Sequence, residues 1–297
     1  MIPRQALHTA LFAVLLFASA PTCVRSVHLD AIALGLCRLG LASLGMTVFL
    51  GFRWSDTRKS VQPCSWRTTY ALLLLGLTFG VHWLAFFLSI KVASAAIGTI
   101  GFSTYGLWLI VLGWLLGRGQ VTRFDLLGLV LACVGTWLLI PEFSFQNEYT
   151  LGLMIGIFSG LTAAVLPIMH QHYADIDGNL RAWGQFTFAM LVFAASQPWA
   201  KWEVQAGDVP LILYLGLGIA LVGHGLWVHA VTALSTTTTS ILSYLYLPIS
   251  LIMGFVFLGE KLAGRALAGT SLVLIANALV LVSQHRRGTL GSRGTTS

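Results

Sequence analysis

Arg38, His82 and His224 are the residues of this sequence best placed to do chemistry, because each sits inside a long apolar run where an ionisable side chain is costly. Arg38 lies about eight residues into its run, on the order of 12 Å deep at ~1.5 Å per residue. One reading makes it a fixed positive charge facing a cavity, able to hold a carboxylate or phosphate. The other has it bonded to carbonyls at a neighbouring helix end, or snorkelling outward. The histidines stand near the middle of their runs, where they could bind a solute or exchange protons, or rest as neutral imidazoles bonded between helices. No Asp or Glu lies within any run; Asp30, Asp125 and Glu260 stand at the ends. Histidine is then the candidate that remains for moving a proton at depth.

Aromatic side chains gather around these positions. Trp83 follows His82, Tyr105 and Trp108 are one turn apart, Trp227 lies one turn after His224, and Tyr244 one turn before Pro248. Trp and Tyr ordinarily favour the edges of a membrane, as Trp54, Trp66, Trp199 and Trp202 do here, so those in mid-run are candidates to line a cavity or simply to pack. Pro248 falls in the middle of its run, where it removes a backbone bond and predicts a kink. It and Gly106 are the candidate hinges, with Gly98 and Gly101 loosening the same stretch as Gly106. The Gly259-Glu260 pair reads as a helix stop followed by an acid at the positive start of the next helix, or paired with Lys261 or Arg265. "STTTTS" at 235–240 predicts a capped turn. Gly152, Gly156 and Gly160 predict close helix packing. His170, His172, Asp175 and Asp177 form a weak metal motif in a loop.

The elements that position these groups follow from composition. Of 297 residues, 57% are apolar and 9% charged, and the mean hydropathy is +0.83. A soluble domain carries about 25% charged residues, so the solvent here is lipid. Continuous apolar stretches at 6–22, 31–52, 70–90, 93–116, 123–140, 150–170, 180–199, 209–232, 236–258 and 264–283 each suit a membrane helix, and their continuity excludes a β-barrel. The first ends in Ala-Ser-Ala like a cleaved signal, but Pro21 directly after that site argues for a retained helix. With the N-terminus in the cytoplasm, Arg4, Arg53, Arg58, Lys59, Arg67, Arg118, Arg123, Arg181, Arg286, Arg287 and Arg293 fall inside. Arg25, Lys91, Lys201, Lys261 and Arg265 fall outside, which satisfies the positive-inside rule and accounts for the net charge of +7 without nucleic acid. Cys23, Cys37, Cys64 and Cys133 have no paired spacing, so neither a disulfide nor a cysteine metal site is expected.

Sliding the chain by 142 positions aligns it with itself. His82 meets His224, Gly76 meets Gly218, Leu109-Ile110 meets Leu251-Ile252, Leu116-Gly117 meets Leu258-Gly259, and Arg123 meets Arg265. Gly106 answers Pro248 and Arg118 answers Glu260. Each unit holds five helices, an odd number, so the second copy enters the membrane from the opposite side. The reversed charge of Arg118 and Glu260 then marks opposite faces.

The second unit, "HAVTALSTTTTSILSYLYLPISLIMGFVFLGEKLAGRALAGTSLVLIANALVL", resembles the C-terminal repeat of the EamA family in the drug/metabolite transporter superfamily. The residues that carry the resemblance are the hydroxyl-rich turn at Ser235–Ser240, Pro248, Gly259-Glu260 and Gly269. The first unit resembles the N-terminal repeat, including Arg38, and departs from it at Gly106, where the family often has Pro, and at Arg118, where it often has Glu. The likeness covers nearly the whole chain. It implies a carrier with a central cavity, usually exporting small organic molecules.

The expected fold is an all-α polytopic membrane protein of ten helices in two inverted five-helix repeats, residues 1–142 and 143–285, with a basic tail at 286–297. The expected function is export of a small amino-acid-like or amphipathic metabolite by alternating access, with broad drug efflux as the alternative. A membrane enzyme would need a nucleophile–base pair or metal cluster at depth, and a regulator would need a signalling domain. Neither is evident, and without a Walker motif no ATP-driven pump is expected. No cofactor or metal is expected. The partners are a small-molecule substrate and the bilayer, with no nucleic acid and a homodimer left open. The site of action is the inner (plasma) membrane, with both termini cytoplasmic.

Overall fold

A computed structural model describes residues 4–52, 65–117, 122–138, 144, 146–234, 239, 242–243, 245–261, 264–265, 267–276 and 278–279. No strand occurs among them. The helices are α1 (Arg4–Ser26), α2 (Ala31–Phe52), α3 (Trp66–Val92), α4 (Ala95–Phe102), α5 (Tyr105–Leu115) and α6 (Arg123–Leu138). The second half adds α7 (Glu148–His172), α8 (Gly178–Ala195), α9 (Asp208–Ala233), α10 (Tyr246–Leu258) and α11 (Leu267–Ala276). Among the described residues six spans are long and apolar enough to cross a membrane: α1, α2, α3, α4 with α5, α7 and α9. The outward faces of the helices carry large apolar side chains such as Phe52 on α2, Trp137 on α6 and Phe255 and Phe257 on α10, which suit a lipid surrounding. Trp66 is exposed at the start of α3, and Trp199 and Trp202 are exposed in the connection between α8 and α9, where membrane-edge tryptophans belong.

The two halves run in opposite senses. At one end of the bundle Arg25, at the close of α1, donates to the carbonyls of Ile90 and Lys91 at the close of α3, and Lys91 donates to Val27. Their repeat counterparts, α7 and α9, close at the other end, where Gln171 donates to the carbonyls of Val231 and Leu234. The first end also holds Glu260 and the second Asp175, and they are named accordingly below. The backbone repeats as well: Gly117 after α5 and Gly259 after α10 both take left-handed conformations, with φ of +66° and +67°. That geometry suits glycine and ends both helices.

The halves interlock rather than lie side by side. α3 of the first half packs chiefly on α7 and α8 of the second, α2 on α8, and α1 on α9 and α10. The close packing predicted from Gly152, Gly156 and Gly160 falls at the meeting of α7 with α3, α4 and the turn after α4. A Cβ on Gly101 of α4 would stand 2.9 Å from the Cα of Gly156, and one on Gly160 would stand 2.9 Å from the carbonyl oxygen of Phe102.

Two expectations need correction. The stretch 93–116 is not one helix: α4 ends and α5 begins across Ser103 and Thr104. Those hydroxyls donate back to the carbonyls of Ile100 (2.6 Å) and Gly101 (2.8 Å), taking over the end of α4. Nor is 236–258 a single helix with Pro248 at its centre. α10 starts at Tyr246, so Pro248 lies in its first turn, where a missing N–H costs nothing. The interruption therefore precedes the proline, on the side where Pro248 lacks the N–H that would bond the carbonyl four residues back. Arg118, Cys64, Trp54, Tyr244 and most of "STTTTS" lie outside the described residues. Cys23, Cys37 and Cys133 are free thiols.

Candidate functional site: a cavity between the repeats

Both helix interruptions open onto one cavity. It has a volume of about 700 Å³ including its mouth and runs from mid-bundle toward the Asp175 end. Phe102 and Tyr105 flank the first interruption, and Ser243 and Tyr246 flank the second. Val14 and Phe17 come from α1, Phe79, His82, Trp83 and Phe86 from α3, Leu166, Pro167 and His170 from α7, Gln185 from α8, and His224 and Trp227 from α9. Every one of these helices had to be assembled before the site existed.

Of the residues singled out in sequence, His82, Trp83, Tyr105, His224 and Trp227 stand on this wall. The histidines approach from opposite halves with two rings between them. Trp83 has its ring centroid 5.1 Å from that of His82 and 5.3 Å from that of His224, while Phe79 lies 6.3 Å and 4.9 Å from the same pair. His224 stacks on Phe17 at 4.3 Å. It ends a stretch, Tyr214–His224, that is wound as a π-helix. The equivalent stretch of α3 is ordinary α-helix, so the repeats present their histidines on differently wound backbones.

The bonding around His82 fixes its protons. Nδ1 lies 2.8 Å from Ser159 Oγ and 3.1 Å from the Ser159 carbonyl, and Ser159 Oγ itself donates to the His82 carbonyl. Both neighbours of Nδ1 therefore act as acceptors, so Nδ1 carries the hydrogen and Nε2 is left as an acceptor toward the cavity. Replacing Ser159 by alanine is expected to cost about 1 kcal/mol, while the backbone carbonyl at that position still accepts from Nδ1 and keeps the tautomer. A lowered Tm with an unchanged His82 tautomer in a ¹⁵N spectrum is the outcome that checks it.

His170 belongs to the site, not to a metal motif. It is buried, with Nε2 2.8 Å from Gln185 Oε1, while Arg181 Nη1 donates to its carbonyl at 2.7 Å and lies 3.3 Å from its Nδ1. A guanidinium can only donate, so Nδ1 accepts and Nε2–H donates to Gln185. The Gln185 amide NH2 is then turned outward as a donor on the wall. Asp177 caps α8 through the N–H groups of Asn179 and Leu180, and Asp175 pairs with Arg67 at 2.5 Å, which holds its carboxyl below the usual range. Among the described residues no group of three metal ligands converges.

Arg38 is fully buried, is not among the described residues of the cavity wall, and bonds no carbonyl among the described residues. Its guanidinium carbon lies 3.7 Å from the ring centroid of Trp83, with Phe87 at 5.6 Å and Phe79 at 6.0 Å. Nε, Nη1 and Nη2 make no hydrogen bond among the described residues. The charge is boxed by rings, one side-chain layer behind the wall. Trp108 also stands away from the cavity, in a cluster with Tyr105, Leu109 and Ala163. Tyr244 falls outside the described residues. Gly106 is buried in the first turn of α5, just past the first interruption.

Glu260 does something no local reading found. Its carboxylate oxygens accept from the N–H groups of Ala95 (3.0 Å) and Ala96 (2.8 Å), so it caps α4 of the opposite repeat. Among the described residues it pairs with neither Lys261 nor Arg265, and it does not cap the helix that follows it. Sequence reasoning also missed Phe17, Phe79, Phe86, Phe102, Gln185 and Tyr246. Gln185, an amide placed within an apolar run, was the one with a signal.

The comparisons with known proteins agree with this architecture. The model of the EamA-like transporter family matches residues 5–140 and again 150–282. Among solved structures, one described only as "Crystal structure of protein" superposes with a TM-score of 0.69 at 15% identity, covering 95% of this chain and 98% of its own. At that identity the likeness shows a shared fold. No curated protein matches the sequence.

Proposed function

The chain belongs to the EamA-like transporter family, and from that premise we propose that it is a secondary carrier exporting a small amphipathic organic metabolite by alternating access. The observation that carries the reading is the cavity itself. It lies between two oppositely oriented repeats, draws its wall from both, and meets an interrupted helix of each at mid-depth. Interruptions of this kind free backbone groups for a solute and supply places to bend. His82, Trp83, Tyr105, His224 and Trp227 are the proposed binding residues. The two interruptions, beside Gly106 and Pro248, are the proposed hinges.

The Glu260 end faces outward in this reading, with both termini in the cytoplasm of an inner-membrane protein. The support is the excess of Arg and Lys in the loops of the other face. Residues 1–142 and 143–285 serve as the two moving units, in keeping with the two family matches. The wall is mostly apolar and Arg38 stands behind it, which favours broad drug efflux as the second reading.

In proteoliposomes the protein is expected to show saturable counterflow of a preloaded organic solute, recovered chemically unchanged. Conversion of the solute into a new species would move the assignment to an enzyme. Counterflow of many unrelated drugs with similar constants would select the second reading.

A further inference from the structure

We propose that this cavity selects a small organic monoanion with an apolar, ring-sized body over zwitterions and cations, and that Arg38 sets the preference. The proposal rests on the reading of the cavity as a solute site and names the class of solute.

The first ground is an uncompensated charge. Arg38 is fully buried with all three guanidinium nitrogens unbonded among the described residues. The second buried arginine, Arg181, is the instructive contrast. It donates to the carbonyls of Ile176 and His170 and to Thr232 Oγ1, and Asp175 and Asp177 lie in the loop just before its helix. Arg181 is thus spent on the fold, whereas Arg38 is not. Its neighbours are Trp83, Phe79 and Phe87, which attract a cation through their ring faces but carry no net negative charge. Trp83 and Phe79 are also cavity wall. A solute resting against them therefore feels the guanidinium across one layer of side chain, in a medium that screens weakly.

The second ground is the composition of the wall. No Asp or Glu is among its described residues, so none of them accepts an ammonium group as an ion pair. Of the ring faces that could hold a cation, that of Trp83 is already engaged by Arg38, and a cation elsewhere on the wall would still lie near that like charge. The wall does supply a donor for an anion in the outward-turned amide of Gln185, whose carbonyl is held by His170. Phe17, Phe86, Phe102 and Trp227 supply apolar rings for the body of the solute.

Four near-isosteric probes test this with the intact protein in detergent: hydrocinnamate (anion), hydrocinnamide (neutral), phenylalanine (zwitterion) and phenylpropylamine (cation). Binding is read by tryptophan fluorescence and by thermal shift. Hydrocinnamate is expected to bind at least about tenfold tighter than phenylalanine or the amine, given one weakly screened charge a ring's thickness away. In Arg38→Gln the anion's advantage over its amide should shrink to within about twofold, while the amide itself binds as before. A merely structural Arg38 would weaken all four probes together. Arg38→Lys should restore the anion's advantage, and the wild-type ranking alone still tests the proposal if Arg38→Gln fails to fold.

Equal or tighter binding of phenylalanine or the amine overturns the proposal, as does an unchanged ranking in Arg38→Gln or no binding of any probe. Counterflow separates the two readings. Saturable exchange of phenylalanine or the amine without hydrocinnamate sinks the anion rule and leaves the carrier standing. Ordered binding with no exchange of any probe keeps the anion site and removes the carrier.

Discussion

Gly156→Val is expected to lower stability by about 3 kcal/mol and to leave little folded material at 37 °C. The argument rests on what surrounds the missing Cβ. One at Gly156 would stand 3.0 Å from Ser89 Oγ, 3.2 Å from the Cα of Gly101 and 3.2 Å from the Gly98 carbonyl oxygen. The last two are backbone, and they belong to α4, whose start is pinned by Glu260 and whose end is closed by Ser103 and Thr104. A methyl group can be accommodated only by pushing α4 from α7. That also stretches the 2.5 Å bond from Ser89 Oγ to the Gly152 carbonyl. Valine adds two more carbons and a stiff branch. The check is a thermal melt in detergent beside Gly113→Val, where nothing lies within 4 Å of the added carbon. Gly113→Val should fold nearly normally; equal melting of the two proteins would refute the close-packing account.

This contrast shows what the sequence could and could not convey. The spans, the 142-residue repeat and the pairing of His82 with His224 were legible because apolar length and residue identity are written along the chain. The positions at which the fourth and ninth spans break were not, although hinges at Gly106 and Pro248 were expected in those spans. In the fourth, hydroxyls folded back onto their own carbonyls end α4, with no proline or glycine at the break to announce it. Pro248 carried the loudest local signal, and the break lies a few residues ahead of it, just before α10 begins.

For the site, the titratable residues of mid-span were found and the phenylalanine wall was not. A phenylalanine that faces a cavity and one that faces lipid look alike in a membrane sequence. The depth of Arg38 was readable from position, but its environment depended on α3 arriving beside α2. His170 was read with the polar residues that follow it, His172, Asp175 and Asp177, although it closes the apolar run and is buried in the last turn of α7.

Glu260 is the case where a locally sensible reading missed the most, and it yields the second large prediction. The first N–H groups of a helix have no partner within it and carry partial positive charge. In α4 those of Ala95 and Ala96 are met by the two Glu260 oxygens and that of Ile97 by Ser94 Oγ. A carboxylate at such a site contributes about 2 kcal/mol through charge-assisted bonds. Here it also ties the loop after α10, in the second repeat, to the first repeat at the end away from the cavity mouth. If the repeats alternate as proposed, this contact breaks in every cycle, and its strength sets how long the Glu260 end stays shut. The position equivalent by repeat is Arg118, a side chain with no acceptor, so the opposite end cannot form the same clasp.

Glu260→Gln keeps one acceptor oxygen and removes the charge; Glu260→Ala removes both. The alanine variant is expected to melt lower and to lose at least tenfold in counterflow, with glutamine intermediate. Native Cys23, buried in α1 near this end, should react several-fold faster with a maleimide in both variants once Cys37, Cys64 and Cys133 are replaced by serine. Unchanged Cys23 reactivity together with full counterflow in Glu260→Ala would show that the cap is ornamental and that some other contact closes this end.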